Sequence, residues 1–163
     1  MSASAPEATN DYSTRRARFR GSGGAAGRVR LGLAAAALLA ALLLVISTFL
    51  ALYTVSNGQT QLRSISGYEH HSVAMLLLGL AAVPMALGGL RGARPAMFAL
   101  ALIGVVVLVV AVSVDLPAAL DEGLLAVSYE GASAAPAAGF FVETLAGVLL
   151  LVSGGLQLLR GDG

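Results

Sequence analysis

Four long apolar runs divide the chain: LGLAAAALLAALLLVISTFLALYTV (31 to 55), SVAMLLLGLAAVPMALGGL (72 to 90), PAMFALALIGVVVLVVAVSV (95 to 114) and FFVETLAGVLLLVSGGLQLL (140 to 159). Roughly 20 apolar residues cross the ~30 Å hydrocarbon core of a bilayer as a helix, so each run predicts a span. The Val-rich third run also has the composition of a buried strand, but its unbroken length and Pro95 at its opening favour a helix. The first run is too long for a cleaved signal peptide and has no small-residue cleavage site before polar sequence, so it predicts a retained anchor. The expected fold class is an all-α membrane protein, a four-transmembrane-helix bundle.

Within the runs, small residues fall in stripes at helical spacing. Gly139, Glu143, Gly147, Leu150 and Gly154 share one face of the fourth run. Ala101, Gly104, Leu108, Ala111 and Asp115 do so in the third, and His71, Met75, Gly79, Ala82, Ala86 and Gly89 in the second. Lipid tails are as apolar as Leu, so membrane helices associate through close approach at small residues. Gly79, Gly104, Gly147 and Gly154 are therefore expected at helix contacts. Pro84 interrupts the second run and reads as a packing feature in preference to a hinge.

The polar connections (56 to 71, 91 to 94, 115 to 139) alternate sides if all four runs span. Nine of the ten arginines then lie with the termini and only Arg63 lies opposite, which predicts cytoplasmic N- and C-termini in a multi-pass cell-membrane protein. Residues 1–27, with RRARFR and GSGGAAG, lack periodicity and are expected to be a disordered cytoplasmic tail; 28–160 form the membrane domain and 161–163 a short tail. The tail arginines are read as topology determinants, with no nucleic-acid partner expected. In the external segment 115 to 139, LPAALDEG predicts a short loop helix capped by Asp115, LLAVSYE has strand-like composition, and GASAAPAAG reads as a flexible return.

Composition agrees with lipid as solvent: 57% of residues are hydrophobic and 12% charged. The absence of cysteine excludes disulfide scaffolds, thiolate metal sites and thiol redox chemistry.

Candidate chemistry is confined to one end of the spans. His71, Asp115 and Glu143 close three inward-facing stripes at the external rim, and ionisable groups facing a membrane-protein interior are costly unless paired or used. His71 is expected to approach Glu143, with Asp115 nearby, as a structural or pH-responsive latch. No metal site is expected, because His70 and His71 are neighbours about 100° apart on a helix and no HExxH spacing occurs. No cofactor is expected either.

RGARPAM between the second and third runs, with ASAAPAAGFFVETLAGVLLLVSGG leading into the fourth, resembles uncharacterised small four-span membrane proteins of actinobacterial type over roughly residues 30 to 160. The resemblance implies topology and a cell-membrane location, with no catalytic residues to transfer. Small multidrug transporters carry an acid in the first span, which this chain lacks; thiol-oxidising bundles need cysteines; bis-histidine haem bundles need histidines on separate spans. The expected function is a non-enzymatic accessory or interaction subunit in contact with the bilayer and with a membrane-protein partner or further copies of itself. The alternative is a small oligomeric transporter or channel with an acidic external rim. The first is favoured because only Ser47 and Thr48 approach the centre of a span as polar residues.

Overall fold

The computed structural model describes residues 11–57, 60–71, 73–120 and 132–160, with the backbone alone described for 11–23, 25, 26 and 132. In chain order these form α1 (Asp11–Ser47), β1 (Ala51–Asn57), β2 (Thr60–Ser66), α2 (Gly67–His71), α3 (Ala74–Leu90), α4 (Arg94–Val110), a π-helical turn (Ala111–Asp115), α5 (Leu116–Leu120), β3 (Ala132–Pro136) and α6 (Ala138–Arg160). α1 packs on α3 and α6, and α4 packs on the same two helices from the other side. The sheet lies at the end of these helices away from Asp11 and Arg160.

Among the described residues, three helical stretches are long and apolar enough to cross a membrane: Gly27–Ser47, Arg94–Leu120 and Ala138–Arg160. The second apolar run departs from expectation. Its helix, Ala74–Leu90, has 17 residues, a rise of about 26 Å, because Val73 lies in a turn before it and a second turn ends it after Leu90. That turn is built around Gly92, at φ 86°. Ala93 N–H donates to Gly88 O and Gly92 N–H to Gly89 O, each at 3.0 Å, the paired closure of a Schellman motif. Pro95 opens α4, as the sequence predicts.

The fold is not all-α. β1 is the centre of a three-stranded antiparallel sheet of order β2-β1-β3, pairing Thr54 with Ser64 on one side and with Ala135 on the other. The first apolar run therefore changes structure midway. Ser47 and Thr48 turn their hydroxyls back onto Leu44 O (2.8 and 3.1 Å), Phe49 and Leu50 N–H close a turn, and the β-favouring LYTV that follows enters the sheet. Ser47 and Thr48 consequently lie at the sheet end of α1 and not near the middle of a span. The expected flexible return at 131–139 contains strand β3 in its ASAAP segment, because β1 offers a free edge beside the start of α6. The strand-like LLAVSYE segment lies outside the described residues. So do residues 1–10, but the remainder of the expected disordered tail is helical backbone from Asp11, continuous with α1. Once a helix is nucleated, each added residue contributes one further hydrogen bond, so it propagates beyond the apolar stretch.

Burial is inverted relative to a soluble domain. The core is small: Ala37, Ala41, Ala82, Ala86, Ala111 and Ala146 are buried with Leu44, Leu100, Val107 and Leu150. Large side chains such as Leu42, Leu77, Phe98, Val109, Leu145 and Val152 face outward on every long helix. A contiguous outward belt of this kind fits lipid and not water.

The glycine stripes lie at helix contacts. A side chain at Gly104 would run into Leu151 N and Gly147 O, and one at Gly154 would meet Met97 O at 2.8 Å. Gly147 faces Val107 and Leu108, Gly79 faces Val45 and Ala41 O, and Gly139 lies against Ala51 O. α4 and α6 thus touch backbone to backbone.

Candidate functional site: histidines over two buried carboxylates at the sheet end

The site is assembled from three local devices. The first is a capping box at Ser66–Glu69. Ser66 N–H donates to Glu69 Oε2 at 2.8 Å, and Glu69 N–H donates to Ser66 Oγ at 3.3 Å, the reciprocal pairing that starts a helix. It starts α2, which is pinned over the end of α1 by Gly67 N–H donating to Leu50 O (3.1 Å) and Tyr68 N–H to Thr48 O (2.6 Å). Gly67 permits this approach, since a Cβ there would lie 3.0 Å from Ser47 O. Glu69 is solvent-exposed, and the Ser66 hydrogen bonds, helped by Arg63, hold its carboxyl below the usual range.

The second device is the π-helical turn. Leu116 N–H donates to Ala111 O, five residues back. Because a π turn holds more residues than an α turn, the four-residue steps Val107, Ala111, Asp115 and Ala119 all stay on the buried side. Asp115 is therefore inside a continuous helical segment with its carboxylate fully buried. It is not the cap of a separate loop helix, as its sequence context suggested. The third device is the small-residue stripe of α6, which turns Glu143 fully inward.

His70 and His71, on the last turn of α2, both reach Asp115. His71 Nε2 lies 2.7 Å from Asp115 Oδ1 and His70 Nε2 lies 3.5 Å from the same atom. The two rings meet edge to face at 4.6 Å between centroids, and His70 also meets the Tyr53 ring of β1 edge-on at 5.9 Å. One donor atom from each of His70, His71 and Asp115 falls within 4.8 Å of the others. Glu143 adjoins Asp115 and lies within electrostatic reach of His71. The three expected residues are thus brought together, and His70 joins them. Both histidines lie on helix α2, and despite their angular separation their side chains converge on the one buried carboxylate that α2 ends beside.

The polar atoms of this cluster are poorly satisfied. The short His71 contact is bent away from hydrogen-bond geometry, and among the described residues His70 Nε2, His71 Nε2 and the carboxylate oxygens of Asp115 and Glu143 have no partner in that geometry. Two ionised carboxylates only accept, so side by side they need a proton or a cation between them. The Asp115 contact holds His71 above its ordinary pKa against the opposing effect of burial, with the Asp115 and Glu143 charges adding to the rise. Burial and the neighbouring His71 push His70 the other way, with Asp115 opposing.

Sequence reasoning missed His70, although the S-x-x-E pattern at Ser66 was the signal that a helix starts there. It also missed Gln157, buried on α6 at the opposite end beside Gly89 with neither amide atom hydrogen-bonded among the described residues. Comparison with protein-family models, curated proteins and solved structures gave no match for this chain.

Proposed function

We propose that this chain is a non-enzymatic integral membrane protein that serves as an accessory or interaction subunit. In this reading all four long helices cross the bilayer as a four-helix bundle, Ala74–Leu90 being the shortest. Both termini are cytoplasmic, and the sheet is presented on the external face of the cell membrane. The arginine distribution supports the orientation.

The observation that carries the reading is the apolar seal between the two ends of the helices. Ala37, Ala41, Leu44, Ala82, Ala86, Leu100, Val107, Ala146 and Leu150 fill the space between the Glu143 end and the Gln157 end. A conduit needs polar or wet lining at membrane depth, so this packing supports an interaction role over transport. The sheet supports it as well, because β2 and β3 each leave one edge unpaired among the described residues, the kind of edge to which an extended segment adds.

Reconstitution into liposomes tests the reading: proton and cation flux should match protein-free vesicles, and a saturable flux would favour the transporter alternative. A photo-crosslinking residue at Gln61 or Ser64 on β2 should yield a discrete adduct in native membranes. Adducts with lipid alone at both positions would count against a partner at the sheet.

A further inference from the structure

Nothing in the proposed role uses the cluster at the sheet end, and its composition calls for a ligand. Asp115 and Glu143 are both fully buried, and among the described residues no donor meets their carboxylate oxygens in hydrogen-bond geometry. An uncompensated buried charge is strongly unfavourable. Among the described residues, the groups ion-paired with Asp115 are His70 and His71 alone. Two carboxylates and two neutral imidazoles carry the charge that one divalent cation neutralises.

Donor chemistry narrows the cation. Imidazole nitrogen with carboxylate oxygen suits zinc and its first-row neighbours, whereas calcium and magnesium prefer oxygen alone. In a tetrahedral site with bonds of about 2.0–2.1 Å, donor atoms stand roughly 3.3 Å apart. His70 Nε2 and His71 Nε2 stand 3.5 and 2.7 Å from Asp115 Oδ1, and all three donors fall within 4.8 Å.

The backbone is organised to hold it. The capping box and the Gly67 contact fix α2, and with it both histidines, on the end of α1. The π turn keeps Asp115 on the inner face, and α6 brings Glu143 beside it from a third element. Ligands from α2 and the π turn, with a carboxylate from α6, would tie together segments that are otherwise linked through small-residue contacts.

We propose that His70, His71 and Asp115, with Glu143 as the adjoining carboxylate, bind one divalent transition-metal ion of the zinc class. The site does not depend on the orientation or the interaction role of the protein, so its test is separate from those of the preceding reading. It takes its fourth donor from Glu143 or from water, and the ion locks α2 onto the helices below.

Full-length protein in mild detergent, stripped with a chelator, is given Zn²⁺ or Co²⁺ alone. One equivalent should bind per chain, and Co²⁺ should show the intense visible absorption of a low-coordinate nitrogen and oxygen site. X-ray absorption of the zinc form should show imidazole ligands. Affinity should fall at least about 100-fold in His71→Ala and in Asp115→Asn, and Ca²⁺ or Mg²⁺ at equal concentration should not displace the ion. Zinc binding that is equally tight in the His70→Ala/His71→Ala double variant overturns the proposal, as does a Co²⁺ spectrum of the free aquo ion. If His71→Ala fails to fold, the near-isosteric Asp115→Asn and the wild-type spectrum still decide.

Discussion

His71 Nε2 stands 2.7 Å from the fully buried Asp115 carboxylate, joining the last residue of α2 to the π turn that follows α4. This contact joins a segment above the helices to the interior of one of them. It sets the first prediction, which concerns protein freed of metal by a chelator. The Asp115 carboxylate raises the folded pKa of His71 above its ordinary 6.5. The resulting stabilisation is fully present below the ordinary value and is lost as pH rises through the folded one. His70 faces the same carboxylate but is pushed down, so its contribution has the opposite sign and weakens the fold as pH falls below its ordinary value. With Asp115 and Glu143 left in place, His71→Ala should lower the melting temperature more at about pH 6 than at about pH 8. An equal deficit at both would reduce His71 to a packing residue.

Small-residue contacts give a paired prediction. A methyl group at Gly104 would press on the backbone of Leu151 and Gly147, so Gly104→Ala should cost about 1–3 kcal/mol by forcing α4 and α6 apart. At Gly155, on α6 as well, a methyl group meets nothing within 4 Å. Gly155→Ala should therefore be neutral or stabilise by up to about 1 kcal/mol through helix propensity. Thermal unfolding in detergent checks both, and the same sign at the two positions would contradict the helix contact.

Gln157 is buried at the far end of α6, and neither of its amide atoms has a hydrogen-bond partner among the described residues. Replacing an unsatisfied buried amide with an apolar side chain of similar size removes a desolvation penalty. Gln157→Leu should be neutral or raise stability by about 1 kcal/mol. A clear loss of stability would reveal a hydrogen-bonded partner for the amide, such as a bound water or a second chain.

Topology is tested by reporter fusions. Those after residues 65 and 125 should behave as external, and those after 92 and 163 as cytoplasmic, following the arginine distribution. Matching behaviour of the 65 and 92 fusions would mean that Ala74–Leu90 does not cross the membrane.

Helix faces were legible in the chain because they depend on periodicity alone. Gly139, Glu143, Gly147, Leu150 and Gly154 lie on one helical stripe in the sequence and are all buried on α6, since a 3.6-residue repeat leaves one face to meet the neighbouring helices. Pro95 likewise marked the start of α4, because a missing N–H is harmless at that position. The sheet was not legible. LYTV continues an apolar run without a break, and only the availability of β2 and β3 as hydrogen-bonding edges makes it a strand. The site needed tertiary structure for the same reason. Sequence placed His71, Asp115 and Glu143 at one end of the chain's apolar runs, but local pattern carries no record of the π turn that keeps Asp115 inward or of the docking of α2 that brings in His70. The docking of α2 rests on hydrogen bonds to residues well back in the chain, Gly67 to Leu50 and Tyr68 to Thr48, and there tertiary hydrogen bonding, not periodicity, decides the direction of a side chain.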